Sequence, residues 1–162
     1  MAAVGIVFFA VSQSPRGAIG QAARRGATQK LLVVVADPLE DPSAVEQVSY
    51  EVAGPDSQVM VLAPARIGFL DRWASDVEAA RRDAQRRLVL SVAALAAAGV
   101  EAEARVGDED VVQAVEDQLG RFAATEVILV SADGKTANAA AEELRSRLRP
   151  GFRWIVTGSA DR

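Results

Sequence analysis

Gly134-Lys135-Thr136, within VILVSADGKTANAA (Val127 to Ala140), is the first place in this sequence where chemistry could sit. Gly-Lys-Thr ends a phosphate-binding loop, in which backbone N–H groups and the lysine wrap a nucleotide's phosphates and the hydroxyl serves a metal ion. Such a loop needs an earlier glycine five residues before Gly134, and Leu129 stands there, inside an apolar run. Ser131 to Lys135 therefore reads as a short turn into a helix. Gly134 would be a turn residue, Lys135 exposed, and Thr136 the helix cap.

The remaining chemistry is limited by residue type. The 162 residues include no His and no Cys. That removes disulfides, thiolate metal sites, cysteine nucleophiles and histidine acid–base catalysis together. Eighteen Lys and Arg against 22 Asp and Glu give a net charge of −4, which argues against a nucleic-acid partner. Asp37 ends an apolar run, where an acid either contacts a ligand or caps the turn that follows. Arg81, Arg82, Arg86 and Arg87 stand among Asp76, Glu78 and Asp83 at helical spacing, so a solvated, internally paired face is expected. Glu116 with Asp117, and Glu142 with Glu143, are neighbours that point to different sides of a helix. They do not form a catalytic acid–base pair. No enzyme activity and no metal site are expected.

The elements that must position these residues follow from periodicity. KLLVVVAD (Lys30 to Asp37), QVMVLAPA (Gln58 to Ala65), TEVILVS (Thr125 to Ser131) and FRWIVTG (Phe152 to Gly158) read as strands, the apolar runs buried on both faces. VEAEARVG (Val100 to Gly107) alternates, as an edge strand does. Between them lie four helical patterns. Asp41 and Pro42 open the first, Val45, Val48 and Val52 form its stripe, and Gly54-Pro55 stops it. Ser75 and Glu78 make a capping box for the second, with Val77, Ala80, Ala84, Leu88, Val92 and Leu95 facing inward and Gly99 ending it. Asp108 opens the third, buried through Val112, Val115, Leu119 and Phe122. The fourth runs from Thr136 to Leu148 and buries Ala137, Ala140, Ala141, Leu144 and Leu148. Tyr50 is expected to pack. Ile67, Phe69, Leu70 and Trp73 enrich one connection with apolar side chains that would cover a sheet edge or meet a protein.

Strict alternation of strand and helix predicts an α/β, doubly wound parallel sheet with helices on both faces. The folded domain is expected over 30–162. Residues 1–29 form an N-terminal extension. Its apolar run from Ala2 to Val11 is too short to span a bilayer and is not preceded by positive charge. An extra strand or a disordered linker is expected there.

With these elements in place, Lys30 to Thr157 resembles the universal stress protein family. The resemblance rests on the five-strand order, on LLVVVAD as first strand, and on VEAEARVGDEDVVQAVEDQ as third strand, Gly-Asp turn and helix. LAPA, RWASDVEAARRDAQRRL and AAGVEAEARVGDED are similar to a divergent actinobacterial branch. The resemblance implies strand order 3-2-1-4-5, a cytoplasmic protein, and a homodimer formed through the last strand. ATP-binding members carry an Asp at the end of the first strand, which Asp37 matches. They also carry G-x-x-G-x(9)-G-[ST] after the fourth strand. Here that region reads SADGKTANAAAEELRSRLRPG, with Gly134 alone before Gly151.

The expectation is therefore a universal-stress-protein-like domain that lacks the ATP-binding glycine motif and holds no cofactor. It would act by dimerisation and protein contacts in stress response or regulation. The alternative is a nucleotide- or small-anion-binding module, with ATP or AMP as the ligand the resemblance implies. Its site would use Asp37, Ser131, Gly134, Lys135 and Thr136, between the loops after the first and fourth strands.

Overall fold

The computed structural model describes residues 28–65 and 77–158. The expected Ser75 cap, the apolar connection from Ile67 to Trp73 and the extension up to residue 27 lie outside the described residues. Five strands form one parallel sheet: β1 (Lys30–Val35), β2 (Gln58–Pro64), β3 (Glu103–Gly107), β4 (Glu126–Ala132) and β5 (Gly151–Thr157). Their order is β3-β2-β1-β4-β5, as expected. Val33 of the central strand pairs with Val61 on one side and Ile128 on the other.

Four helices flank the sheet: α1 (Pro42–Glu51), α2 (Val77–Ala97), α3 (Val111–Leu119) and α4 (Lys135–Arg147). Side chains alternate across a strand, so each central strand feeds two cores. Leu31, Val33 and Val35 pack with Val48 of α1 and Ala84, Leu88 and Leu95 of α2. Leu32 and Val34 pack with Val112 and Val115 of α3 and Ala141 and Leu144 of α4. Burial on both faces explains why these strands read as unbroken apolar runs.

Local chemistry sets the helix ends. Asp41 caps α1 by accepting the N–H of Ser43 at 2.9 Å, with Pro42 first in the helix. The helix stops at Glu51 with Val52 extended, so Gly54 and Pro55 form the next turn rather than the stop itself. Gly99 adopts a left-handed φ of 81° after α2. Its N–H bonds to Ala96 O at 3.0 Å and that of Val100 to Leu95 O at 2.9 Å, a Schellman ending.

Three further expectations change at this level. The side-chain cap of α3 is Asp110, which accepts the Gln113 N–H at 2.9 Å, while Asp108 accepts the N–H of Asp110 at 3.2 Å. Val77 is 46% exposed, outside the buried stripe of α2. Tyr50 does not pack but is 82% exposed, because Ala44 and Val48 set the buried side of α1 and Tyr50 falls on the opposite one.

Gly107 is required by close approach. A Cβ there would lie 2.8 Å from the Ala114 Cβ and 3.0 Å from Leu62 Cδ1. The absent side chain lets α3 dock against the end of β3.

Candidate functional site

Strand order reverses between β1 and β4, so the crevice at their carboxyl ends is where a doubly wound sheet places a ligand. Asp37 stands on the β1 wall of that crevice. Its backbone N–H reaches Val130 O at 3.4 Å, and its Oδ2 accepts the N–H of Ala132 at 2.8 Å. The carboxylate thus continues the β1–β4 pairing past the last strand residue. It ties the two walls to each other.

Ser131 is fully buried on β4, and its Oγ accepts the indole N–H of Trp154 at 2.8 Å. Trp154 belongs to β5, so this contact fastens the neighbouring strand. Gly134 is the N-cap of α4, with extended backbone and no side-chain cap. Lys135 and Thr136 are exposed in the first turn. Thr136 does not cap the helix, since α4 starts one residue before it. Asn138 instead closes the turn, donating to Gly134 O at 2.9 Å and Asp133 Oδ1 at 3.2 Å. The fold brings Asp37 against the backbone flanking Ser131, but turns the hydroxyl of Ser131 to Trp154.

Arg87 was expected on a solvated face. It is 5% exposed, and its guanidinium lies at the carboxyl ends of β1 and β2. Nη1 donates to Val35 O and Ala36 O, each at 3.0 Å, and Nη2 to Pro64 O at 2.6 Å. Nε lies 3.3 Å from Asp83, one turn back on α2. Ser91, one turn onward, is fully buried and accepts the Leu39 N–H at 3.0 Å. A signal for both was present in the sequence. Arg87 stands three residues after Ala84, and Ser91 three after Leu88 and four before Leu95, so a polar pair sits within the apolar stripe.

Several other charges form surface pairs. Arg147 meets Glu116 at 3.2 Å and Glu143 at 2.7 Å, and Arg145 meets Glu142. Asp117 accepts from Gln113 at 2.8 Å. Among the described residues, no three His, Cys, Asp or Glu side chains cluster to hold a metal. No described helix is long and apolar enough to cross a membrane. A cleft of about 460 Å³ opens beside β3, lined by Arg81, Gln85, Val106, Gly107 and Asp108. None of the five candidate residues borders it.

No family model matches the chain, and no curated protein is similar to it. Solved structures are. A protein of the universal stress protein family from Burkholderia pseudomallei superposes with a TM-score of 0.60 at 18% identity, over 80% of this chain and 96% of that one. A universal stress protein from Archaeoglobus fulgidus in complex with dAMP gives 0.60 at 12%, over 79% and 97%. A universal stress protein in complex with cAMP gives 0.52 at 14%, over 81% and 98%. The fold is the universal stress protein fold. Within it, Asp37 falls just past the end of β1, and the turn carrying Gly134 follows β4. Here Asp37 is bonded to the opposite wall, and Gly134 opens α4 without a side-chain cap.

Proposed function

We propose that this chain is a divergent universal-stress-protein-like domain that does not hold ATP in the family's manner and works through dimerisation and contacts with other proteins, in stress response or regulation. The observation that carries this reading is the free edge of β5. Gly151–Thr157 pairs with β4 on one side, and no described strand pairs with the other. An edge strand offers N–H and C=O groups to any strand that adds to it. The two edges of the sheet differ. β3 carries exposed charges at Glu103 and Arg105, which discourage pairing. β5 carries one charge, Arg153, already 2.7 Å from Glu51 of α1, and leaves Val156 47% exposed.

The crevice supports the ligand side of the reading. Asp37 and Ser131 are engaged with Ala132 and Trp154, and the single Gly134 replaces the family's glycine pair. Two measurements test it together. Sedimentation velocity is expected to give a dimer, and isothermal titration with ATP and AMP no binding. A monomer at tens of micromolar would overturn dimerisation. Micromolar nucleotide binding that Asp37→Ala abolishes would overturn the other half.

A second reading, a small-anion or nucleotide module, is favoured by the start of α4. Its first helical turn holds Lys135 and no acid, with Asp133 just before it bonded to Asn138, and Gly134 provides no side-chain cap. Phosphate-dependent shifts of the Lys135 to Asn138 amides in NMR spectra would favour it. A melting temperature unchanged by millimolar nucleotide counts against it.

A further inference from the structure

Three main-chain carbonyls, those of Val35, Ala36 and Pro64, converge where β1 and β2 end. A planar guanidinium presents a fixed fork of N–H donors and keeps its charge in any protein environment. An ammonium also has three donors, but all on one nitrogen, so it does not reproduce the separated Nη1 and Nη2 positions. Burying a charge is costly unless hydrogen bonds and an opposite charge meet it. Here Nη1 and Nη2 satisfy all three carbonyls and Asp83 lies beside Nε.

The same face of α2 supplies Ser91 to the Leu39 N–H, and Asp37 reaches Ala132. The connection from Val35 to Leu39, one wall of the crevice, is therefore held from three directions. We infer that the carboxyl ends of β1 and β2 form a guanidinium-binding site that the chain fills from within, with Arg87 as its internal ligand, and that Arg87 thereby closes this half of the crevice to other small molecules. Arg87 plays this part whether or not the chain pairs through β5.

Arg87→Ala tests this, because N-ethylguanidinium matches the atoms removed beyond Cβ. The substitution is expected to lower Tm by roughly 8–15 °C. N-ethylguanidinium at ten times its Kd should return about 3 °C to the variant. It should return nothing to the native chain, and ethylammonium should do nothing to either. A variant that melts within about 2 °C of the native chain would overturn the inference, that difference being below the effect of one ordinary buried hydrogen bond. Equal effects of the two cations, or an equal gain in the native chain, would do the same. Should Arg87→Ala not fold, Arg87→Lys keeps stem and charge but loses the fork. Hydrogen exchange at Ala36, Asp37 and Leu39 is then expected to rise about tenfold or more over the native chain. Unchanged exchange there overturns the inference.

Discussion

Asp37 joins β1 to β4 through Ala132, 95 residues further along the chain. A carboxylate accepting a backbone N–H makes a charge-assisted bond, stronger than a neutral one. Asp37→Ala leaves the Ala132 N–H without that acceptor and is expected to cost about 1.5–3 kcal/mol. Asp37→Asn keeps an acceptor oxygen and should cost less. Urea unfolding of the two variants checks this, and equal midpoints for Asp37→Ala and the native chain would contradict it. Position also decides what Asp37 does. At the switch point its Oδ2 accepts from the β4 wall. Ser131 follows the same rule, since the indole of Trp154 claims its hydroxyl oxygen.

At the scale of elements, docking depends on caps and on close approach. Gly107→Ala would place a Cβ 2.8 Å from that of Ala114, a rigid neighbour on α3, so the helix must shift. A loss of about 1–3 kcal/mol is expected, as for other overpacked sites. Ala114→Gly alone should cost about 1 kcal/mol through helix propensity. Combined, the two should cost less than their sum, and a strictly additive double-mutant cycle would refute the steric account. α1 is secured differently. Hydrogen bonds from Ser43, backbone first and side chain second, hold the Asp41 carboxyl below its usual range, and the backbone N–H of Gly158 adds to them. A carboxyl whose folded pKa is lowered stabilises the fold above its unfolded pKa, near 3.8, and loses that contribution as pH falls through the folded value. Asp41→Asn keeps an N-cap oxygen but should flatten the acid limb of the stability profile below about pH 4. Thermal melts across that range measure it, and an unchanged acid limb would exclude Asp41 as a contributor.

At the scale of the whole molecule, β5 is the edge offered to a second copy of the chain. Arg153 on this strand is paired within the chain, and Val156 presents an apolar side chain beside the edge that no described strand covers. Val156→Glu adds a charge that a second copy would have to bury or oppose, which is the device natural edge strands use to stay single. Val156 is half exposed, so the variant should fold with a change within about 0.5 kcal/mol. The expected outcome is a dissociation constant raised about tenfold or more in sedimentation equilibrium, equivalent to ~1.4 kcal/mol. An unaltered dimer would place its interface elsewhere, with exposed Tyr50 and Val89 the next surfaces to change.

The sequence by itself determined the strands, the helices and a parallel α/β sheet, because apolar runs, helical stripes and strand-end signals act locally along the chain. Order 3-2-1-4-5, and with it the place of the crevice, followed from the resemblance to the universal stress protein family rather than from periodicity. Only the tertiary structure decided what the crevice holds. Arg87 reads in the sequence as one of four solvated arginines; it is buried because carbonyls 51 and 52 residues earlier, and a third 23 residues earlier, converge on its side of α2. Asp37 reads as ligand-facing or turn-capping; in the fold its Oδ2 accepts from Ala132, 95 residues on. Tyr50 reads as core until the packing of α1 turns it outward. For Arg87 and Asp37 the partner is distant in the chain, so no local pattern could name it; Tyr50 was open to helical spacing, since it falls opposite Ala44 and Val48.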